Sequence, residues 1–196
     1  MTTTRDQLDT RTEFYDELAE VYDARYYNPT ALFENETVRH LISLIAPENP
    51  RLLDIGCGTG LALELGLTSV ENYCGVDPSG GMLSKLREKF PAAHADLITF
   101  EEWFDQGGQD SPPFDVAISL FGSPSYITPA YIEKIHELAP VVMLMHYKEG
   151  YWPEFEPEPT NSPGSREAAA AMAEKLGGKT FTFNSFQVTF TGKDLF

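Results

Sequence analysis

The nine residues Leu52-Leu53-Asp54-Ile55-Gly56-Cys57-Gly58-Thr59-Gly60 limit what this chain can fold into more than any other segment. An apolar run broken by a single acid reads as a buried strand, and the glycines behind it read as a tight turn that opens a helix. Without Cβ atoms, the backbone at Gly56 and Gly58 is free to adopt positive φ and to pass within contact distance of a ligand, and Gly60 lets a helix pack closely. Asp77 closes the next apolar run, where a carboxylate can accept from both hydroxyls of a ribose. The glycines are spaced G-x-G-x-G and not G-x-G-x-x-G, and Asp54 stands where a pyrophosphate would meet a like charge. A ligand with an ammonium group and no phosphate fits this turn better than a dinucleotide.

Short apolar runs alternate with helical stretches on both sides of the turn, the pattern of parallel strands joined by crossovers. The runs are 51–55, 72–76, 92–95, 114–119 and 141–147. Ser79 is placed to cap a helix carrying Met82, Leu83, Leu86 and Phe90, and Thr128-Pro129 to start one carrying Ile132, Ile135 and Ala139. Upstream, Thr10 and Glu13 have capping-box spacing ahead of Phe14, Leu18, Val21 and Tyr22, while Val38, Leu41, Ile42 and Ile45 form a second stripe that Ala46-Pro47 ends. Residues 148–164 have many Pro and Glu with Tyr151, Trp152 and Phe155 but no period, and read as a long loop. An alanine-rich helix from residue 165 stops at Gly177-Gly178, and 179–183 with 186–191 form a hairpin around Asn184-Ser185.

At 196 residues and 42% hydrophobic content, the chain predicts one domain with one substantial core. Thirty acidic against fourteen basic residues leave a formal charge of −16, which repels phosphate backbones and excludes nucleic acid as an expected partner. The same charge also serves simple solubility. No apolar run is long enough for a membrane span, and charges interrupt the first thirty residues where a signal peptide would be apolar, so a soluble, cytoplasmic protein is expected. Cys57 and Cys74 lack metal-ligand spacing and read as free thiols.

At these motifs the sequence resembles the class I S-adenosylmethionine-dependent methyltransferases. The segment at 52–60 is similar to the family's first motif, Gly75-Val76-Asp77-Pro78-Ser79 to its second, Ala95-Asp96-Leu97 to its adenine-side segment, and 114–119 to its fourth strand. The resemblance implies an α/β fold: a three-layer Rossmann-like sheet of about seven strands, the last antiparallel, with amino-terminal helices capping the cofactor. It divides a single domain over 1–196 into capping helices (1–47), a cofactor-binding core (51–147), a substrate-side loop (148–164) and a terminal helix and hairpin (165–196). It further implies S-adenosylmethionine as cofactor and S-adenosylhomocysteine as product. Asp54 and the turn at Gly56, Cys57, Gly58 and Gly60 would hold the methionine end, Asp77 the ribose, and Pro78, Met82, Asp96 and Leu97 the adenine, with Ser119 and Leu120 beside the methionyl chain. Tyr15 and Tyr22 lie in a stretch similar to the capping helix of small-molecule members, where they either face the sulfonium or only pack the helix on the sheet.

Methyl transfer from a sulfonium depends on proximity and orientation and marks few catalytic residues. After the fourth strand the chain lacks the Asn/Asp-Pro-Pro-Tyr/Phe of exocyclic-amine enzymes, contains no Pro-Cys nucleophile, and has no acid between positions 120 and 130 to hold Mg²⁺, so no metal is expected. A small-molecule acceptor, methylated on O or N, remains. Tyr126 and His146 at strand ends are the candidates to orient or deprotonate it, or else are hydrogen-bonded structural residues; His40, His94 and His136 are less well placed. The alternatives are an aminopropyltransferase-like enzyme, against which Asp54 argues, and a protein that binds the cofactor without chemistry.

Overall fold

The computed structural model describes residues 4–153, 156–159 and 166–192. Its elements alternate as the apolar runs imply. Helices α1 (Thr4–Leu18), α2 (Tyr22–Arg25) and α3 (Pro29–Ile45) precede strand β1 (Leu52–Ile55), α4 (Leu61–Glu64), β2 (Tyr73–Asp77), α5 (Gly80–Lys89) and β3 (His94–Leu97). Then come α6 (Phe100–Asp105), β4 (Val116–Ser119), α7 (Pro129–Leu138), β5 (Val141–Tyr147), α8 (Arg166–Lys175), β6 (Gly178–Phe183) and β7 (Phe186–Gly192).

The seven strands form one sheet in the order β3-β2-β1-β4-β5-β7-β6. The first five are parallel, and β7 inserts antiparallel between β5 and β6, with Val141 opposite Gly192 and Tyr147 opposite Phe186. Because side chains alternate across a strand, each central strand feeds two cores. Leu52, Val116, Ile118, Met143 and Met145 join Val38 and Ile42 of α3 and Leu83 and Leu86 of α5. Leu53, Ile55, Ala117, Val142 and Leu144 join Phe100, Trp103 and Phe104 of α6 and Ile132 and Ile135 of α7. The result is the expected three-layer α/β architecture. Among the described residues, no helix is long and apolar enough to cross a membrane.

Three of the differences from the expected elements have a clear physical cause. Helix α1 begins at Thr4, six residues before the capping-box spacing at Thr10 and Glu13. Leu8, Arg11, Thr12 and Tyr15 sit at i, i+3, i+4 and i+7 and all face one cavity, so tertiary packing extends the helix past a pair that local sequence would make its start. Strand β3 runs from His94, not Ala92, because the turn after Pro91 holds Ala93 N–H to the Phe90 carbonyl, and pairing with β2 starts at Cys74 opposite His94. Helix α6 is an addition. Its signal was present as a capping box: Glu102 N–H donates to Thr99 Oγ1 at 3.2 Å, and the Glu102 carboxylate reaches back to Thr99. The start of α8 at residue 165, and Glu154, Phe155 and 160–164 of the long loop, lie outside the described residues.

Candidate active site

A cavity of about 840 Å³ opens at the carboxyl ends of β1, β2 and β4, where an open parallel sheet collects ligands at the reversal of its strand order. Gly56 and Gly58 form its floor, Asp77, Pro78, Ser79 and Met82 one side, Phe121, Ser123 and Tyr126 another, and Leu8, Arg11, Thr12, Tyr15 and Tyr22 its roof. Gly58 takes φ +53°, and a Cβ built there meets no protein atom within 4 Å, so the turn presents bare backbone to the space above it. Phe121, a bulky residue at φ 47°, also lines the cavity, a backbone outlier of the kind found at ligand sites.

Asp77 organises the turn. Its Oδ2 accepts from Gly58 N–H at 2.9 Å and its Oδ1 from Ser79 N–H at 2.8 Å. Burial pushes its carboxyl up to about 6 despite those two donors. Each oxygen keeps a lone pair for a further donor, such as a ribose hydroxyl.

Two acids of the amino-terminal segment fasten the roof. Asp16 Oδ1 accepts from Ser79 Oγ at 2.6 Å and Gly81 N–H at 2.7 Å, tying α1 to the start of α5. Asp23 accepts from Thr59 Oγ1 at 2.6 Å and pairs with Lys89 at 2.7 Å, tying α2 to the glycine turn and the end of α5. The sequence reading assigned neither acid a role, although both flank the tyrosines it singled out.

Of the residues the sequence reading proposed, Tyr15, Tyr22, Gly56, Gly58, Asp77, Pro78, Met82 and Tyr126 line the cavity. The others do not. Asp54 faces the α3 side of the sheet, where its Oδ2 accepts from the Tyr73 hydroxyl at 3.0 Å; burial raises it to about 7. Cys57 is buried beside that pair, its thiol pushed up first by burial and then by Asp77 and Asp54. Gly60 works through packing: a Cβ there would lie 3.1 Å from Leu86, so its absence seats α5. Ser119 donates to the Ile55 carbonyl at 2.8 Å, and Leu120 is buried in the α3-side core. Asp96 accepts from Trp103 Nε1 at 3.2 Å, and Leu97 borders a smaller neighbouring cavity of about 390 Å³.

The two catalytic candidates fare differently. Tyr126 lines the cavity, but its hydroxyl donates to the Pro157 carbonyl at 2.7 Å, and burial holds its ionisation well above the ordinary tyrosine value, so the phenol stays protonated. His146 is buried on the α7 side of β5, away from the cavity, and neither ring nitrogen has a hydrogen-bond partner. Burial alone pushes it down to about 3, so it stays neutral and out of reach of an acceptor. Replacing His146 by Leu should raise stability by about 1–2 kcal/mol, because it removes buried polar atoms without partners, and should leave ligand affinity within twofold. Thermal melts and ligand titration check both. His136 is likewise structural, with Nδ1 2.6 Å from Thr191 Oγ1.

Of the substrate-side loop, residues 148–153 and 156–159 are described. Tyr151 and Trp152 do not line the cavity; Trp152 packs on the α3-side core. Glu156, one of the glutamates of that loop, is buried and bonded to three tyrosines. No periodicity in residues 148–164 announced it.

A family model for a methyltransferase domain matches residues 53–139. The ubiquinone/menaquinone biosynthesis C-methyltransferase UbiE of Campylobacter jejuni is 27% identical over 111 residues, 51% of this chain and 44% of that protein. The chain thus spans less than half the length of the curated relatives it matches. Among solved structures, DhpI in complex with SAH superposes with a TM-score of 0.64 at 15% identity, covering 97% of this chain and all of that one. DesVI of Streptomyces venezuelae gives 0.63 at 16% identity, over 89% and 97%.

Proposed function

We propose that this chain, which has the class I S-adenosylmethionine-dependent methyltransferase fold and carries a methyltransferase domain, acts as a single domain that methylates an oxygen or nitrogen of a small molecule in the cytoplasm. The observation that carries the reading is the pairing of Gly58 and Asp77: a glycine at positive φ with open space above it, and a buried carboxylate bonded to its N–H with lone pairs to spare. The volume of about 840 Å³ lies near the top of the roughly 300–1,000 Å³ typical of ligand pockets, room for a cofactor and an acceptor together.

S-adenosylmethionine, when bound, supplies a methyl group activated on sulfonium. The chain's own residues do the rest by placement. Asp77 accepts from the ribose hydroxyls, Pro78 and Met82 give the adenine an apolar flank, and the bare backbone at Gly58 lets the methionyl chain approach. Tyr15 and Tyr22 close the roof as neutral phenols, their ionisation raised by burial and then by the charge of Glu156. Among the described residues no histidine lines the cavity, and its carboxylates are engaged as acceptors, Asp77 from Gly58 and Ser79, Glu101 from Thr128 and Glu102 from Thr99, so an acceptor arrives nucleophilic or loses its proton to water. Asp54, turned toward Tyr73, contributes to the turn's support and not to direct contact.

The test is calorimetry with S-adenosylhomocysteine followed by release of that product from S-adenosylmethionine over a metabolite panel. Absence of binding removes the reading; binding without turnover on any acceptor favours a protein that only senses the cofactor.

Affinity should also depend on pH with a definite sign. Asp77 ionises near 6 in the free protein, and accepting two hydroxyls favours its charged form. Affinity is therefore full above about pH 7 and falls as pH drops through 6, by up to about tenfold per pH unit. Ligand-free stability should change little between pH 8 and 6.5. There Asp54, raised to about 7, gains a proton in the folded state, but His136 and His146, held neutral by burial, gain theirs only on unfolding, and the two effects oppose each other. Titrations and melts over pH 5–8 check both.

A further inference from the structure

Glu156 is only 6% exposed, and a lone buried carboxylate is costly unless it is bonded. Its Oε2 accepts from the hydroxyls of Tyr15 at 3.2 Å and Tyr147 at 2.5 Å, and its Oε1 from that of Tyr26. These phenols come from α1, the turn after α2, and β5, and burial together with the Glu156 charge holds each of them protonated. Hydroxyl donors stabilise the carboxylate without neutralising it, and a phenol that donates to an anion pushes electron density into its ring.

That charge stands directly behind the cavity wall. Tyr15 lines the cavity and bonds to Glu156, Tyr22 lies 6.5 Å from it ring to ring, and Tyr126, also on the wall, donates to Pro157, the residue after Glu156. Electron-rich faces backed by a carboxylate are the chemistry that holds ammonium groups. We infer that the acceptor is an amine, recognised by the faces of Tyr15 and Tyr22 with Glu156 as counter-charge; this rests on the cofactor reading above.

Charge conservation separates an amine from an anionic acceptor. With a neutral amine, the nitrogen lone pair forms the N–C bond as the C–S bond breaks and its electrons stay on sulfur. One positive charge moves from sulfur to nitrogen, and a proton then leaves the product ammonium for water. The wall favours a cation from start to finish. With a carboxylate or phenolate, the acceptor's charge must first approach Glu156 through a low-dielectric wall that repels it. Among the described residues, Arg11 is the only basic side chain lining the cavity, and it sits over the Tyr126 ring at 5.1 Å, as a cation drawn to that face does.

The experiment titrates benzyltrimethylammonium and phenylacetate, probes of similar size, into protein saturated with S-adenosylhomocysteine. The ammonium should bind at least tenfold tighter, and Glu156→Gln should cut that ratio at least fivefold. Should Glu156→Gln fail to fold, Tyr22→Leu, which leaves the carboxylate and its three donors in place, should lower the ratio instead. If S-adenosylhomocysteine itself does not bind, the cofactor reading fails and the amine goes with it. If it binds but phenylacetate is held as tightly as the ammonium, or the ratio survives the variant that folds, the amine assignment alone is overturned and Arg11 becomes the anchor for an anionic acceptor.

Discussion

Gly58→Val weakens S-adenosylhomocysteine binding by at least 100-fold. Two effects add. At φ +53° an L-residue is strained, by about 1–2 kcal/mol for an unbranched side chain and more for a β-branched one. The new side chain also projects into space that no protein atom fills, where the proposed ligand backbone must pass. Gly66 separates the two effects: it has φ +65°, nothing within 4 Å of a built Cβ, and no place on the cavity wall. Gly66→Val should cost comparable stability while leaving affinity intact. Calorimetry and melts on both variants decide the matter, and wild-type affinity in Gly58→Val would mean that the glycine turn faces no ligand.

Asp77→Ala should cost about 2–3 kcal/mol of binding, roughly 30- to 150-fold, by stripping a charged acceptor from two ribose hydroxyls. It should also soften the apo protein. The carboxylate holds Gly58 N–H and Ser79 N–H, and Ala leaves both without it, at about 1–3 kcal/mol for the buried Ser79 donor and less for Gly58, which borders the cavity, partly offset because a costly buried charge is removed with them. Asp77→Asn retains one acceptor oxygen and should lie between wild type and Ala in affinity while losing the pH dependence below 7. Unchanged affinity with an unchanged melting curve in Asp77→Ala would take this residue out of the site.

The glycine-turn side of the cavity was legible because it is written in local signals. Gly58, Asp77, Ser79 as an N-cap, and the strand ends that place them are set by residues adjacent in sequence, where steric freedom, capping and apolar period act directly. The hairpin at Asn184 was legible for the same reason: Asn takes φ 50° at the turn. Side-chain direction was not. Asp54 and His146 each sit one pleat away from where a motif-based reading would aim them, because a strand alternates faces and sequence does not say which face meets the ligand. Glu156 was hidden for a different reason. Its meaning depends on Tyr15, Tyr26 and Tyr147, which lie 141, 130 and 9 residues away, and no short-range pattern encodes such a meeting.

The insertion of β7 between β5 and β6 has a consequence for how this protein is made. Strand β5 is complete when Tyr147 leaves the ribosome, yet one of its edges stays unpaired until residues 186–192 have followed. During that interval the longest strand of the sheet that is buried at every residue, Val141–Tyr147, offers a row of free N–H and C=O groups to any passing chain. Translational pausing inside the long loop would lengthen that exposure, whereas rapid synthesis through Gly192 would shorten it. The yield of soluble protein should therefore respond to the pace of translation over its last third more than over its first.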